Sequence, residues 1–180
     1  APIHEKVKQA TELGVSRIPP ILARRTEKHL ALAAPKRAER WRRIALEAAK
    51  QSRRTDIPEI ADPTQLKPAL EHETSPTRIL LSETEQATTL TAALATKIVI
   101  STEAAHSLIV SSAAEKPASL PQPTPSLTLA LAIGPEGGWT PEEMSLFTQH
   151  NWQPVTLGPR ILRAETAAIA AIAIASTHLT

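Results

Sequence analysis

Residues 127–143, Leu127-Thr-Leu-Ala-Leu-Ala-Ile-Gly-Pro-Glu-Gly-Gly-Trp-Thr-Pro-Glu-Glu143, decide the fold of this 180-residue chain. Leu127 to Ile133 is an apolar run of strand length and predicts a buried strand. Gly134-Pro-Glu-Gly-Gly138 breaks it. Thr140 then opens a helix, with a capping hydroxyl, proline at the first helical position and a carboxylate at the third. The same order repeats downstream. Trp152 to Leu157 predicts a strand, Gly158-Pro-Arg-Ile-Leu-Arg163 a loop, and the alanine–isoleucine run from Ala164 a helix to the end. Strand, loop, helix, strand, loop, helix predicts an α/β fold with an open, mainly parallel sheet and helices on both faces. Such folds place ligands at the carboxyl ends of their strands, where both glycine loops fall.

Working outward, His4 to Leu13 reads as a helix stopped by Gly14, and Ser16 to Leu22 as a strand-like run broken by Pro19-Pro20. Pro35 to Arg54 predicts a long polar helix whose apolar stripe is Trp41, Ile44, Ala45 and Ala48. Residues 55–76 hold four prolines and read as an irregular connection, and Arg78 to Leu81 as a short strand. From Glu83 to Ser126 the pattern is weak. Ile98-Val-Ile100 and Leu108-Ile-Val110 are candidate strands there, and residues 117–125 a stiff proline-rich linker.

Composition narrows the chemistry. Four of the five glycines lie in the two loops, although an average protein carries about 7% glycine. Alanine supplies 30 residues and aromatic residues only four, so the core is expected to be built from thin, closely packed helices. With no cysteine and six scattered histidines, neither a disulfide framework nor a metal site is expected. No apolar stretch is long enough to cross a membrane, and a soluble, cytoplasmic protein is the default expectation. Charge is divided along the chain: residues 1–54 carry 14 Lys+Arg and 5 Asp+Glu, and the remainder is net acidic. A basic third of this kind is the footprint of a nucleic-acid partner. On the long helix it also fits a merely solvated face. Arg24-Arg25 and Arg53-Arg54 resist that plain reading, because each pair stands at the end of an element.

The first glycine loop has neither the lysine and hydroxyl of a P-loop nor the G-x-G-x-x-G spacing. Its adjacent Gly137 and Gly138 allow a ligand to touch backbone directly. Glu136 disfavours a polyphosphate and favours a neutral or cationic ligand. A tight turn with a helix cap is the plainer alternative; the second loop, with Arg160, Arg163 and Glu165, weighs against it.

Ala132-Ile-Gly-Pro-Glu-Gly-Gly-Trp-Thr-Pro-Glu-Glu143 and Leu157-Gly-Pro-Arg-Ile-Leu-Arg-Ala-Glu-Thr-Ala-Ala168 resemble the two signature strings of the SPOUT-class ribosomal RNA uridine-N3 methyltransferases. Thr11-Glu-Leu-Gly-Val15, Ile18-Pro-Pro-Ile-Leu-Ala-Arg-Arg25, Arg40-Trp41 and Glu47-Ala-Ala-Lys-Gln-Ser-Arg-Arg54 leading to Ile57-Pro-Glu59 match in chain order. The resemblance implies an α/β domain with a C-terminal trefoil knot, working as a homodimer on N3 of a uridine in 16S ribosomal RNA of the small subunit. The implied methyl donor is S-adenosylmethionine. Three loops would hold it: Leu81, Ser82 and Glu83; then Ile133, Gly134, Pro135, Glu136, Gly137 and Gly138; then Leu157, Gly158, Ile161, Leu162 and Arg163, with Ala167 beyond. Arg160 and Arg163 would stabilise negative charge on the base, and Glu165 would act as base or orienting group. Arg24, Arg25, Arg53 and Arg54 would face the RNA.

The match covers most of the chain as one methyltransferase domain over residues 1–180, with 84–126 as an atypical segment. The family's N-terminal PUA-like barrel has no counterpart in these residues. Ala164 stands where the family has threonine, Trp139 where it has Phe or Leu, Lys8-Gln9 where Gln-Lys is usual, and Ser82-Glu83 where a histidine or similar residue is common. A SPOUT enzyme with another RNA target and an RNA-binding module impaired in catalysis are the alternatives.

Overall fold

The computed structural model describes residues 3–25, 28–96, 128–135 and 137–179. Its centre is a three-stranded sheet in the order β6-β5-β7, formed by β5 (Thr77–Leu81), β6 (Leu129–Ala132) and β7 (Gln153–Val155), all parallel. Alternation along β5 decides the layers. Ile79 points to one face and packs with Leu90, Leu94, Ala171 and Ala175; Leu80 points to the other and packs with Leu66, Leu70, Phe147 and Trp152. A helical stretch over residues 90–96 (α4) and helix α6 (Ala164–Leu179) therefore cover one face, and helices α3 (Leu66–His72) and α5 (Pro141–Gln149) the other. The expected open parallel sheet with helices on both faces is present. Alanine has the expected use: Ala171 and Ala175 let α6 lie close to the sheet.

Helix α1 (Ile3–Glu12) and the long helix α2 (Lys28–Gln51) form a second layer, with Val7, Ala38, Trp41, Ala45 and Ile60 buried between them and the neighbouring chain. A serine on α6 ties this layer to the centre, Ser176 Oγ donating to the Leu13 carbonyl at 3.0 Å. Two short parallel pairs stitch the connection: β1 (Arg17–Ile18) with β3 (Glu59–Ile60), and β2 (Ile21–Leu22) with β4 (Thr64–Gln65).

Several expectations need correction. Residues 55–76 hold β3, β4 and α3 rather than irregular chain, since two-residue strands are too short to display alternation. Helix α2 begins before Pro35, because Leu30-Ala-Leu-Ala-Ala34 favours helix strongly enough to carry it through the proline. It ends at Gln51, where Arg53 takes a positive φ of 57° and the Arg54 N–H returns to the Ala49 carbonyl at 2.9 Å. Strand β6 is half-buried rather than buried, and among the described residues β5 is its single neighbour in the sheet. Ile98-Val-Ile100, Leu108-Ile-Val110 and residues 117–125 lie outside the described residues. Among the described residues no helix is long and apolar enough to cross a membrane, and no cluster of His, Asp and Glu could hold a metal ion.

Candidate functional site

Parallel register gathers three loops at one edge of the central sheet. Leu80 pairs with Ala132 and Leu81 with Val155, so the chain leaves all three strands at the same level. Ser82 N–H donates to the Val155 carbonyl at 3.0 Å, joining the first loop to the third. Thr156 exchanges bonds with the start of α4: its N–H donates to the Thr88 carbonyl at 2.9 Å and its carbonyl accepts from Leu90 at 3.0 Å. Its hydroxyl donates to the Gly158 carbonyl at 3.0 Å and accepts the Gly158 N–H at 3.2 Å. Gly158 has φ +119°, which an L side chain rarely adopts. Among the described residues Pro154 lies on an edge strand, where its missing N–H costs nothing to the ladder.

The loop after β6 is tight from both sides. Gly138 N–H closes a turn onto the Pro135 carbonyl at 2.9 Å, with φ +67°. A Cβ on Gly134 would stand 3.2 Å from Trp139 Nε1. That indole cannot easily yield, because it meets Phe147 edge-on at 4.9 Å, and Phe147 meets Trp152 at 5.4 Å. Among the described residues Trp139 Nε1, buried beside the loop, has no acceptor. Glu136 lies outside the described residues. Thr140 and Glu143 form the expected capping box, each backbone N–H bonded to the other's side chain.

Sequence reasoning missed a clamp across this loop. Glu143 is buried, and while its Oε2 caps α5, its Oε1 accepts the Arg24 backbone N–H at 2.8 Å. That bond holds the Arg24-Arg25 turn over the start of α5. From it the Arg25 guanidinium reaches the Gly137 carbonyl, and its stem lies 3.3 Å from where a Gly137 Cβ would be. The capping motif signals only one of the carboxylate's two tasks, since Arg24 is 119 residues away.

In the third loop Arg160, Ile161 and Arg163 are exposed, Ile161 at 82%, while Leu157, Leu162 and Ala167 are half-buried. The Arg163 carbonyl accepts the Ala167 N–H at 2.9 Å, so Arg163 stands at the threshold of α6. Glu165 follows in its first turn. Backbone hydrogen bonding there holds its carboxyl below the usual range, and the Arg163 charge adds to the effect.

The four expected RNA-facing arginines do not converge. Arg24-Arg25 precede α2 and Arg53-Arg54 follow it, so a 24-residue helix, about 36 Å long, separates the pairs. Arg53 is exposed. Arg54 is turned inward: its side chain is 12% exposed, and Nη1 donates to the carbonyls of Thr11 at 2.7 Å and Val15 at 2.9 Å. Nη2 bonds Asp56. Arg54 thereby satisfies carbonyls at the end of α1.

Residues 3–176 match the family described as RNA methyltransferase domain. Two curated relatives share the name ribosomal RNA small subunit methyltransferase E. The Synechocystis protein is 35% identical over 94% of this chain and 47% of its own, and the Bacillus subtilis protein 32% identical over 94% and 59%. A crystal structure of the Neisseria gonorrhoeae protein of that name, bound to S-adenosyl methionine, superposes with a TM-score of 0.70 at 28% identity, covering 97% of this chain and 60% of that one. The chain thus spans about half to three-fifths of the length of the proteins it matches.

Proposed function

Because this chain belongs to the RNA methyltransferase domain family, we propose that it methylates N3 of a uridine in 16S ribosomal RNA of the small subunit, with S-adenosylmethionine as donor. The observation that carries the reading is the convergence of the loops after β5, β6 and β7 at one sheet edge.

The residues present suit this donor. It has no phosphates, and the two glycine-bearing loops are shaped by backbone and hydroxyl hydrogen bonds instead of lysines. The close approach of Trp139 to Gly134 and the left-handed turn at Gly138 support a loop whose backbone is held in one shape beside the proposed donor site. Leu81, Ser82 and Glu83, Ile133 to Gly138, and Leu157, Gly158, Ile161, Leu162, Arg163 and Ala167 are the residues we assign to it. When bound, S-adenosylmethionine supplies an electrophilic methyl group on a sulfonium.

Uracil N3 is a weakly acidic N–H and becomes a good nucleophile as its proton leaves. Arg160 and Arg163 are assigned to the flanking carbonyls, where a guanidinium stabilises the charge that develops on oxygen. Glu165 is assigned to orient Arg163: a carboxyl held below the usual range is charged at neutral pH and is a weak base. Arg24, Arg25, Arg53 and Arg54 are assigned to the RNA side, with Arg54 acting by fixing the turn that presents Arg53. We extend the proposal to a trefoil knot at the third loop, a homodimer, a single methyltransferase domain over residues 1–180 and a cytoplasmic location.

Two measurements test the reading. Calorimetry should detect one S-adenosylmethionine site per chain, weakened by Gly137→Val. Mass spectrometry of 16S ribosomal RNA should find an N3-methyluridine that is lost on deletion of the gene and restored by it. Absence of donor binding, or an unchanged modification profile, would refute it.

A further inference from the structure

On the outer side of the α1–α2 layer lies a shallow depression of about 620 Å³, away from the loops of the proposed methyltransferase site. Its floor is Ile44 and Ala48, and Lys8, Arg40 and Arg43 stand around it. We infer that this depression is a second RNA contact, which binds the phosphate backbone at a distance from the reacting base.

Helical arithmetic places the cations together. Arg40, Arg43 and Glu47 recur at intervals of three and four on α2, so they share one face, and Lys8 is brought beside them by the packing of α1. How the charges are used separates this patch from an ordinary solvated helix face. Arg42, the residue next to Arg43, is engaged with Asp62 at 2.6 Å, Glu39 and the Ile60 carbonyl, and the two carboxylates, Asp62 first, raise its pKa. Lys50 takes up Glu47 at 3.0 Å. Lys8, Arg40 and Arg43 have no ion pair among the described residues. Three cations from two helices, with no ion pair among the described residues, surround one concavity whose lining carboxylate, Glu47, is already paired with Lys50, and this favours a polyanion. The aliphatic floor and side-chain stems accept the less polar sugar edges between phosphates.

The geometry also defines a path. Arg25 lies just before α2 at the glycine loop, and Arg40 twelve residues beyond Lys28, so Arg40 stands about 18 Å along the helix from its start. A strand whose target base lies at the loops reaches the depression within several nucleotides.

The inference rests on the proposed activity for the identity of its RNA, and the test separates the two. Arg40→Ala/Arg43→Ala is compared with Arg17→Ala/Lys67→Ala, which removes two cations elsewhere, each paired with an acid. A labelled 16S ribosomal RNA transcript is titrated at several salt concentrations, with calorimetry against S-adenosylmethionine in parallel. The first variant should bind RNA roughly tenfold more weakly, with a salt slope shallower by about 1.4, as loss of two single-strand phosphate contacts requires. Its donor binding and melting temperature should match the parent, and the control variant should bind RNA as the parent does. Equal RNA affinities and slopes for the two variants would overturn the inference. So would unaltered binding to naked RNA with weakened binding to small-subunit particles, which would assign the face to a ribosomal protein. Failure of the parent to bind the donor would refute the methyltransferase reading alone.

Discussion

The Arg25 guanidinium donates to the Gly137 carbonyl, joining residues 112 positions apart, one on the proposed RNA side and one in the proposed donor loop. The junction is reinforced from behind by the buried Glu143 carboxylate, which bonds the Arg24 backbone. A side chain that bears on both proposed sites would link their affinities, and linkage of this kind is reciprocal.

Arg25→Ala should therefore weaken donor binding severalfold and RNA binding as well. Arg25→Lys keeps the charge but loses the planar fork, so it should recover RNA affinity better than donor affinity. Calorimetry with each ligand, alone and with the other present, reads both effects. Parental donor affinity in Arg25→Ala would show that the contact has no part in shaping the loop.

The glycines of the two loops should fail differently. In Gly134→Ala the new Cβ meets an indole held by Phe147, so a destabilisation of about 1–3 kcal/mol and a shift in Trp139 fluorescence are expected. Gly158→Ala meets nothing within 4 Å and suffers only from its backbone angle, at a cost of about 1–2 kcal/mol with unchanged fluorescence. Matching spectra and stabilities in the two variants would remove the steric argument at Gly134.

What could be read from the chain divides by range. Thr140, Pro141 and Glu143 announce a helix start because a capping box is complete within four residues. The stripe of Trp41, Ala45 and Ala48 is legible for the same reason, as three buried positions of one helix. Strand order is not local, so Leu129 to Ala132 reads as buried although among the described residues it forms a sheet edge. The site divides likewise. Its loops stand out through glycine, whereas the Arg25–Gly137 bond and the second task of Glu143 depend on a fold that brings distant segments together. Arg54 looks, in sequence, like a free cation; only the position of α1 reveals that its donors are taken.

Acid should loosen the α1–α2 junction through Asp56. Its carboxyl is held below the ordinary value of 3.8, chiefly by its bond to Arg54. A depressed folded pKa contributes stability that is fully present above the unfolded value and disappears as pH falls through the folded one. Urea midpoints of the parent should therefore drop below about pH 4. Asp56→Asn should be less stable than the parent at neutral pH and lose less on acidification. Parallel pH curves for the two proteins would exclude the pair as a source of acid sensitivity.

The division of labour between Arg163 and Glu165 can be separated by rate and pH. A general base works best with a pKa near the operating pH, and Glu165 is displaced in the opposite direction by backbone bonds and by Arg163. Glu165→Gln preserves shape and hydrogen bonding and removes only the charge. It should lower kcat by less than about tenfold and leave the neutral part of the pH–rate profile in place. Arg163→Ala removes the charge proposed to stabilise the developing oxyanion, and a loss of about 10²–10³ in kcat that exceeds any loss of donor affinity is expected. Single-turnover transfer to 16S ribosomal RNA measures both. If Glu165→Gln proves the more damaging and abolishes the acid limb of the profile, Glu165 is the proton acceptor.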